Sequence, residues 1–375
     1  MIVQHPMLWC AAFLAAGIAV GLSFPLPYYL PLLAVGVIAC TLLRKSQHWH
    51  DVLTLVVWFL LGCSRASVPF YDTKPAWQQA MELKAKAVQT SLIERLEKSG
   101  VSPRTLALSS ALVVGERSGM EYETKQAYNH IGAGHLLALS GTHLGILYAF
   151  LYLMLIRWVR HNQWRWFSLP LILLFLWGYA LVAGMPVSLV RATLMLSIFT
   201  ILSLMQYDTD HLHPLALSAI IILLISPTDL QSVSFQLSFV AVFFILALWG
   251  PLRDMYQGIP WIVKLLGTSC VASFGIMPLV MYYFHRLPLL APFYSIVLIP
   301  MTTLIIYLTI AAMLLPVQPL GWLLNATVLL QQKIIDFAGS IPFGTLNDVY
   351  PSASVVAMMY GAILIAIVRL RTRDA

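Results

Sequence analysis

Charge is scarce in this 375-residue chain: Asp, Glu, Lys and Arg make up only 10% of it, while 60% of the residues are hydrophobic. No glutamate follows Glu123, and the seven aspartates beyond that point lie mostly in predicted loops. A composition so poor in charge indicates an integral membrane protein. Cation pores use acidic rings and proton-driven carriers usually bury a carboxylate, so the shortage of acids argues against both classes.

Signatures of soluble enzymes are also missing. The sequence contains no Walker loop, no H-E-x-x-H, no G-x-S-x-G and no cluster of histidine and aspartate typical of a metal-dependent hydrolase. The four cysteines form no C-x-x-C pair and lie within or beside apolar segments, as small packing residues do. We therefore expect a membrane protein that is not an enzyme and that holds no metal and no cofactor.

Long apolar runs are what the chain has instead. A helix needs roughly 20 mostly apolar residues to cross a bilayer, so the sequence predicts an all-α, polytopic transmembrane bundle of about ten to twelve spans, some of them broken or interfacial. The predicted spans are 7–23, 27–43, 52–68, 131–156, 167–184, 187–206, 212–226, 235–249, 261–283, 289–314 and 354–368. The piece 320–345 is ambiguous, because Gln331, Gln332, Lys333 and Asp336 suit either a span lined by protein or an interfacial helix.

Lysine and arginine in short loops predict the orientation, since cytoplasmic loops carry an excess of both. The residues concerned are Arg44, Lys45, Arg157, Arg160, Arg165, Arg253, Arg369, Arg371 and Arg373. If 320–345 crosses, all of them lie on one side, and the chain is a multi-pass protein of the cytoplasmic (inner) membrane with a cytoplasmic amino terminus. Three regions follow: N-terminal spans over 1–68, an extracytoplasmic amphipathic helical segment over 69–128, and a membrane domain over 129–375.

The region 69–128 is the one substantial soluble portion that the sequence predicts. One helical stripe in it is apolar and consists of Trp77, Met81, Val88, Leu92 and Leu96. Basic and acidic residues nearly balance across the region, so it is not a basic patch. We expect a helix that packs on the membrane domain or lies among the lipid headgroups, with direct contact to nucleic acid as the alternative.

The stretch GAGHLLALSGTHLGIL at 132–147 is apolar enough for a membrane, yet it contains four glycines, two histidines, a serine and a threonine. Ser140, Gly141 and Thr142 predict an interrupted helix, because glycine is flexible and hydroxyl groups can bond the backbone groups that a break frees. Such a break is tolerated only inside protein or beside a water-filled cavity. His135 and His143, eight residues apart, would both face that cavity. The alternatives are close helix packing through the glycines, or a metal site that lacks a third ligand.

Arg191 lies inside a predicted span, shortly after Pro186 and Ser188. A charge at that depth is costly unless it pairs or meets water, and no acid lies between Glu123 and Asp208 to pair with it locally. The side chain therefore marks a functional site, or it reaches the outer interface by snorkelling.

Other polar groups follow later in the chain. Gln236 and Ser238 open the span near 235–249 with neutral hydrogen-bonding groups, and His285 and Arg286 lie between two spans. A bundle whose polar groups are neutral or cationic would accept an anionic polymer without repelling it.

Several of these segments, in this order, resemble the ComEC family, the inner-membrane DNA channels of natural transformation. The resemblance runs from about residue 103 to 370 and comprises ALVVGERS, HLLALSGTHLGIL, the run RATLM at 191–195, SFQLSF and PLVMYYFHRLP. It implies that one DNA strand passes through the membrane domain into the cytoplasm after its partner strand is degraded. The residues that it places along the DNA path are His135, Ser140, Gly141, Thr142, His143, Arg191, Gln236, Ser238, His285 and Arg286.

Proteins of this family often carry an oligonucleotide-binding fold after the first spans and a carboxyl-terminal metallo-β-lactamase-like nuclease domain. The region between the early spans and the family segments is too short and too helical for that barrel, and little sequence follows the last span. The expected partners are therefore single-stranded DNA, the lipid bilayer, a separate nuclease and other competence proteins, with a homo-oligomer possible.

Two alternatives remain from the residues alone. The first is a carrier for a small anionic or lipid-linked solute, which the same polar breaks and basic side chains would serve, although we find no internal repeat of the kind many carriers show. The second is a non-conducting assembly subunit.

Overall fold

The computed structural model describes residues 6–25, 29–42, 47–67, 76–137, 139, 141–160, 165–205, 212–255, 258, 260–342 and 344–373. Within these residues the chain forms sixteen α-helices, one short 3-10 helix and two short strands, so the predicted all-α class is confirmed. The helices of the amino-terminal half are α1 (Pro6–Ser23), α2 (Tyr29–Leu42), α3 (Gln47–Ser67), α4 (Ala76–Lys98), α5 (Pro103–Val113), α6 (Tyr122–His130), α7 (Gly134–Leu137), α8 (Gly141–Arg160) and α9 (Arg165–Val182).

The carboxyl-terminal half is also mainly helical. Its helices are α10 (Val187–Leu204), α11 (Leu212–Ile225), the 3-10 helix Pro227–Gln231, α12 (Val233–Met255), α13 (Trp261–Phe284), α14 (Ala291–Leu314), α15 (Gln318–Ser340) and α16 (Ala353–Arg373). The strands β1 (Arg286–Pro288) and β2 (Thr345–Asn347) pair antiparallel, with Arg286 opposite Asn347 and Pro288 opposite Thr345. This small sheet links the chain after α13 to the chain after α15.

Contacts divide the chain into two compact units. The first comprises Met1–Lys74 and Leu194–Phe243, and the second comprises Pro75–Thr193 and Phe244–Ala375. The boundaries fall inside α10 and α12, so each of these helices contributes to both units. The division of the sequence into 1–68, 69–128 and 129–375 concerns the membrane boundary and stays a prediction.

Glycines bring α1 and α3 close together in the first unit. A Cβ atom at Gly21 would lie 2.6 Å from the carbonyl oxygen of Cys63, and one at Gly62 would collide with the carbonyl oxygen of Leu14. Small residues of this kind let helix backbones approach each other in a membrane. Cys63 is a free, buried thiol in this contact, as expected for a packing residue.

Arg65 fixes the end of α3 to the end of α11 in the same unit. Its Nε atom donates to the carbonyl of Leu224 at 2.7 Å and its Nη2 atom donates to that of Ile225 at 2.9 Å. The last carbonyls of a helix have no partner within the helix, and a cation suits the negative end of its dipole. The carboxyl-terminal ends of α3 and α11 therefore lie together.

The second unit has a core that joins the end of α4, α5 and α6 to α14 and α15. Buried side chains from all of these helices meet in it, among them Leu96, Leu112, Tyr128, Ile305 and Ile335. The apolar stripe predicted on α4 is buried only towards its carboxyl-terminal end, because Met81 and Val88 are exposed whereas Leu96 is fully buried.

A buried hydrogen-bond chain crosses this core. The Tyr128 hydroxyl donates to Oε1 of Gln331 at 3.0 Å, and Nε2 of Gln331 donates to the Thr302 hydroxyl at 2.8 Å. All three side chains are buried, so their polar atoms depend on one another rather than on water. These two hydrogen bonds fix the positions of α6, α15 and α14 relative to one another.

Three of the described helical segments are long and apolar enough to cross a membrane: Pro6–Ser23, Ile262–Phe284 and Ala291–Leu314. Seven shorter apolar helices accompany them within the described residues: Tyr29–Cys40, His143–Leu155, Ser168–Val182, Val187–Ser203, Leu212–Ile225, Val233–Leu248 and Ala353–Ile365. Ten of the eleven predicted spans overlap one of these segments, and the eleventh, 52–68, coincides with α3, which is not among them. The ambiguous piece 320–345 coincides largely with α15, which is not among the apolar segments.

The contact between α1 and α3 gives a stability prediction. Gly62→Ala should lower the unfolding temperature of the detergent-purified protein, because overpacking of a tight contact costs roughly 1–3 kcal/mol. Gly178→Ala is the control, since a Cβ atom at that helical position meets no atom within 4 Å. Equal unfolding temperatures for the two variants would show that the α1–α3 contact is looser than the structure indicates.

Candidate functional site

The interrupted helix in the second unit is the centre of the candidate site. Helix α7 ends at Leu137 and α8 begins at Gly141, so the predicted break is present, although Gly141 itself is already helical. We call the connection between these two helices the break. Leu139 within it is fully buried. Ser140 and the side chain of Thr142 lie outside the described residues.

The start of α10 supplies the hydrogen bond that the break requires. The hydroxyl of Ser188 donates to the carbonyl oxygen of Leu139 at 2.7 Å. Without such a donor, a backbone carbonyl freed from a helix and buried would be unsatisfied. At Gly141, a Cβ atom would lie 3.4 Å from Cβ of Ala192, so the first turn of α8 packs closely on α10.

Arg191 lies one turn after Ser188 on α10, next to Ala192. Its large side chain is only 1% exposed. The guanidinium group therefore lies inside the protein rather than at the surface, which does not favour snorkelling to the interface. Burial of a charge costs several kcal/mol unless neighbouring groups offset it, so Arg191 beside the break stays a candidate functional residue.

The two histidines of the stretch differ in exposure. His143 is 1% exposed in the first turn of α8, whereas His135 is exposed, with Nδ1 at 3.1 Å from the carbonyl oxygen of Gly132. The two imidazoles are still close enough to interact electrostatically. Among the described residues there is no group of three His, Cys, Asp or Glu that could hold a metal ion.

A loop that sequence reasoning did not select lies against the break. Gly115 has a positive φ of 79°, and a Cβ atom there would lie 2.7 Å from the carbonyl oxygen of Ala183 and 2.8 Å from Cδ1 of Leu139. The Tyr179 hydroxyl donates to the carbonyl of Val113 at 2.8 Å, which fixes the start of the loop on α9. Glycine is required at such a position both for its conformation and for the lack of space.

Arg117 is the functional candidate that this loop contributes. It is exposed, and it lies close enough to His143 to interact with it electrostatically. The neighbouring acid, Glu116, accepts a hydrogen bond from the N–H of Ser118 at 2.9 Å. The hydroxyl and N–H of Ser118 hold the pKa of the Glu116 carboxyl below its usual range. Arg117 lies in the segment ALVVGERS, which carries part of the family resemblance, but it was not among the residues predicted to line the DNA path.

The glycines before α7 pack on the two-stranded sheet. Gly132 has a φ of 77°, and a Cβ atom there would lie 2.7 Å from the ring of Pro288 in β1. Thr345 of β2 donates from its hydroxyl to the carbonyl of His130 at 2.7 Å. Close packing through glycine is thus real at Gly132, while a Cβ atom at Gly145 would meet no atom within 4 Å.

His285 and Arg286 belong to this sheet. His285 ends α13 in the left-handed conformation, with φ 55°, and its ring lies 4.4 Å from the ring of Tyr350. Arg286 is exposed in β1. The sheet therefore brings both residues to the turn that leads into α7 and the break.

Gln236 and Ser238 belong to the first unit, unlike the other candidates. The Nε2 atom of Gln236 donates to the carbonyl of Leu230 at 2.9 Å, which closes the end of the 3-10 helix. Ser238 is partly buried one turn into α12. The second unit by itself therefore gathers His135, Gly141, His143, Arg191, His285 and Arg286 around the break and the sheet, together with Arg117.

Comparison with known proteins gives consistent results. The family model for "Competence protein" matches residues 112–373. The chain is similar to ComE operon protein 3 of Bacillus subtilis (strain 168), with 34% identity over 206 residues, which is 53% of this chain and 26% of that protein. The chain thus matches only about a quarter of the length of that relative.

Two further relatives have no assigned function in their names. The uncharacterized protein MG316 homolog of Mycoplasma pneumoniae (strain ATCC 29342 / M129 / Subtype 1) is 26% identical over 306 residues, covering 79% of this chain and 73% of that protein. An uncharacterized protein of Aquifex aeolicus (strain VF5) is 26% identical over 287 residues, which cover 74% of this chain and 65% of that protein. No solved structure matches the chain.

The hydrogen bond to the break predicts a measurable loss of stability. Ser188→Ala leaves the Leu139 carbonyl without its donor, which should cost about 1–3 kcal/mol and lower the unfolding temperature in detergent. Ser188→Thr keeps a hydroxyl group and should retain most of the stability. Ser203→Ala, at an exposed position of the same helix, is the control. If Ser188→Ala unfolds at the same temperature as Ser203→Ala, the bond contributes nothing to the break.

Proposed function

Because the chain belongs to the competence protein family, we propose that it forms the channel through which single-stranded DNA crosses the cytoplasmic membrane during natural transformation. In this proposal it is a multi-pass protein of that membrane, and the break with its cationic neighbours lies on the DNA path. A separate nuclease degrades the other strand, and other competence proteins deliver the DNA. The observation that carries the proposal is the complete burial of Arg191 beside the break.

The charge around the break favours an anionic substrate. Arg191 is the buried cation, Arg117 lies on the adjacent loop, and the buried His143 can accept or donate a hydrogen bond. The chain offers no acid between Glu123 and Asp208, the stretch that contains α7, α8, α9 and α10. The nearby Glu116 is engaged by Ser118 of its own loop. A phosphate backbone is attracted to such a surface, with a strength that falls as salt rises.

Transport also requires that the strand can leave. A few cations separated by hydroxyl, amide and imidazole groups provide repeated weak contacts, which suit passage better than one tight site. Gln236 and Ser238 are neutral groups that we also expect the strand to contact. The same lining would serve a small anionic or lipid-linked solute, and a non-conducting assembly subunit would need none of it, so the experiment must separate these functions.

Arg191 provides the direct test, in a naturally transformable host in which this gene is deleted and replaced by variants. Arg191→Gln should lower the number of transformants about 10- to 100-fold, because a lost charge-assisted contact costs roughly 1.5–3 kcal/mol. Fluorescent double-stranded DNA should still bind and accumulate outside the cytoplasmic membrane. Arg191→Lys should give a number of transformants between those of Arg191→Gln and the native protein, since lysine keeps the charge but not the planar geometry.

The control for this experiment is Arg104→Gln, which removes an arginine that is half exposed and bonded to Thr124 instead of packed on the break. All variants must reach native levels in the membrane fraction. Normal transformation by Arg191→Gln at native levels would remove Arg191 from the DNA path. Normal transformation without the gene at all, in a host with no second homologue, would favour the solute carrier.

Arg117 allows a test by charge in an exposed loop, where folding tolerates substitution. Arg117→Gln should lower the rate of DNA entry moderately, and Arg117→Glu should lower it further, because a carboxylate repels the phosphate backbone. Raised salt should narrow the difference between the two variants, as it does for any screened interaction. Equal rates for Gln and Glu would show that DNA does not pass near this loop.

A further inference from the structure

Helix α15 is not apolar enough overall to be recognised as a membrane span, yet it lies along α14, which is long and apolar enough to cross. Gln331 of α15 bonds to Thr302 of α14 at 2.8 Å, and the Tyr294 hydroxyl of α14 donates to the carbonyl of Ala338 at 3.3 Å. The two positions are eight residues apart in α14 and seven apart in α15, in opposite directions. The helices are therefore antiparallel in constant register. At 1.5 Å per residue each is about 35 Å long, so both cover the same depth.

The polarity of α15 is the reverse of that of a soluble helix. Gln331 is fully buried and Thr327 is buried, whereas the opposite face exposes large apolar side chains. These are Trp322 (68% exposed), Leu329 (54%), Leu330 (55%) and Phe337 (69%). An exposed apolar face with buried, bonded polar groups is what lipid demands of a helix. The low average hydropathy of α15 thus comes in part from residues that face protein.

Two charged residues, Lys333 and Asp336, also lie exposed on α15. Both are within two turns of its last residue, Ser340, and Asp336 accepts a hydrogen bond from Nε2 of Gln332 at 2.8 Å. Side chains so close to a helix end can extend to the headgroup region. The apolar face between Trp322 and Leu330 contains no charge.

Residues 96–131, which we call the insert, follow α15 along its length. A Cβ atom at Gly321 would collide with the carbonyl of Ser99, and the side chain of Asn325 bonds to the N–H of Ser102 at 2.9 Å and the carbonyl of Gly100 at 3.2 Å. Further along, Tyr128 bonds to Gln331 at 3.0 Å. Residue numbers increase together in both segments along these contacts, so the insert runs parallel to α15.

We propose that α15 crosses the membrane with its outer face against lipid acyl chains, while the insert covers its inner face. The inference rests on the membrane location given in the proposed function. The insert suits that inner position, because the side chains of α5 from Leu108 to Val113 are buried without exception.

Single cysteines test the crossing, in a chain whose four native cysteines are replaced by alanine. Gln318→Cys and Ser352→Cys lie at exposed positions, the first at the start of α15 and the second after its end. A membrane-impermeant maleimide, applied to intact cells and to inside-out vesicles, should label the two from opposite sides. Labelling of both from the same side overturns the crossing. Val317→Cys and Ser354→Cys, also exposed, replace either variant that fails to accumulate.

The lipid contact has its own readout. A nitroxide on Leu329→Cys should be relaxed more by dissolved oxygen than by a water-soluble nickel chelate. The reverse order, or a disulfide between two copies through Leu329→Cys, overturns the lipid assignment.

These experiments use no DNA, so their outcome is independent of the transformation assays. If α15 crosses and Arg191→Gln still transforms normally, the proposed DNA path fails and the crossing of α15 stands. If the two ends of α15 are labelled from the same side, the inference fails whatever the transformation result.

Discussion

The carbonyl of Leu139 must receive a hydrogen bond from the protein, and much of the second unit is arranged around that need. A helix that stops inside an apolar bundle frees backbone groups that neither lipid nor the helix can satisfy. Ser188 supplies the donor at 2.7 Å. This bond places the start of α10 against the start of α8, and the small residues Gly141 and Ala192 permit the close approach. Arg191 is buried at the break as a consequence of the same contact.

The same rule explains the composition of α15. The Gln331 amide points towards α6 and α14, where it bonds to Tyr128 and Thr302, and the large apolar side chains of α15 point away from the protein. In an aqueous domain this distribution would be unstable, since apolar surface would meet water and polar groups would be desolvated. Beside a bilayer it is the favourable distribution. An average over the helix hides the pattern, because the average does not record which side each residue faces.

Most helices were predictable from the sequence because an apolar helix depends on the composition of a continuous stretch of residues. The predicted spans coincide with helices, and the Ser-Gly-Thr stretch marked the interruption before α8 to within a few residues. Prediction was poorer where a residue's role depends on a distant partner. Arg117 was not selected, because its proximity to His143 arises from the packing of Gly115 on Ala183 and Leu139. Gln236 was predicted to lie on the DNA path and stays so; the structure places it in the first unit, where its amide bonds to the nearby carbonyl of Leu230.

The sequence by itself determined the membrane class, the approximate limits of the spans, the break and the shortage of acids from residue 124 onward, since each is a property of neighbouring residues. Only the tertiary structure decided which of the polar residues are buried. It placed Arg191 and His143 inside and His135 outside, packed Gly132 on Pro288 while leaving Gly145 open, and set the insert along α15. These features depend on contacts between segments up to about two hundred residues apart, such as Tyr128 with Gln331. The energy of burying a polar group is fixed by such partners and not by its neighbours in sequence.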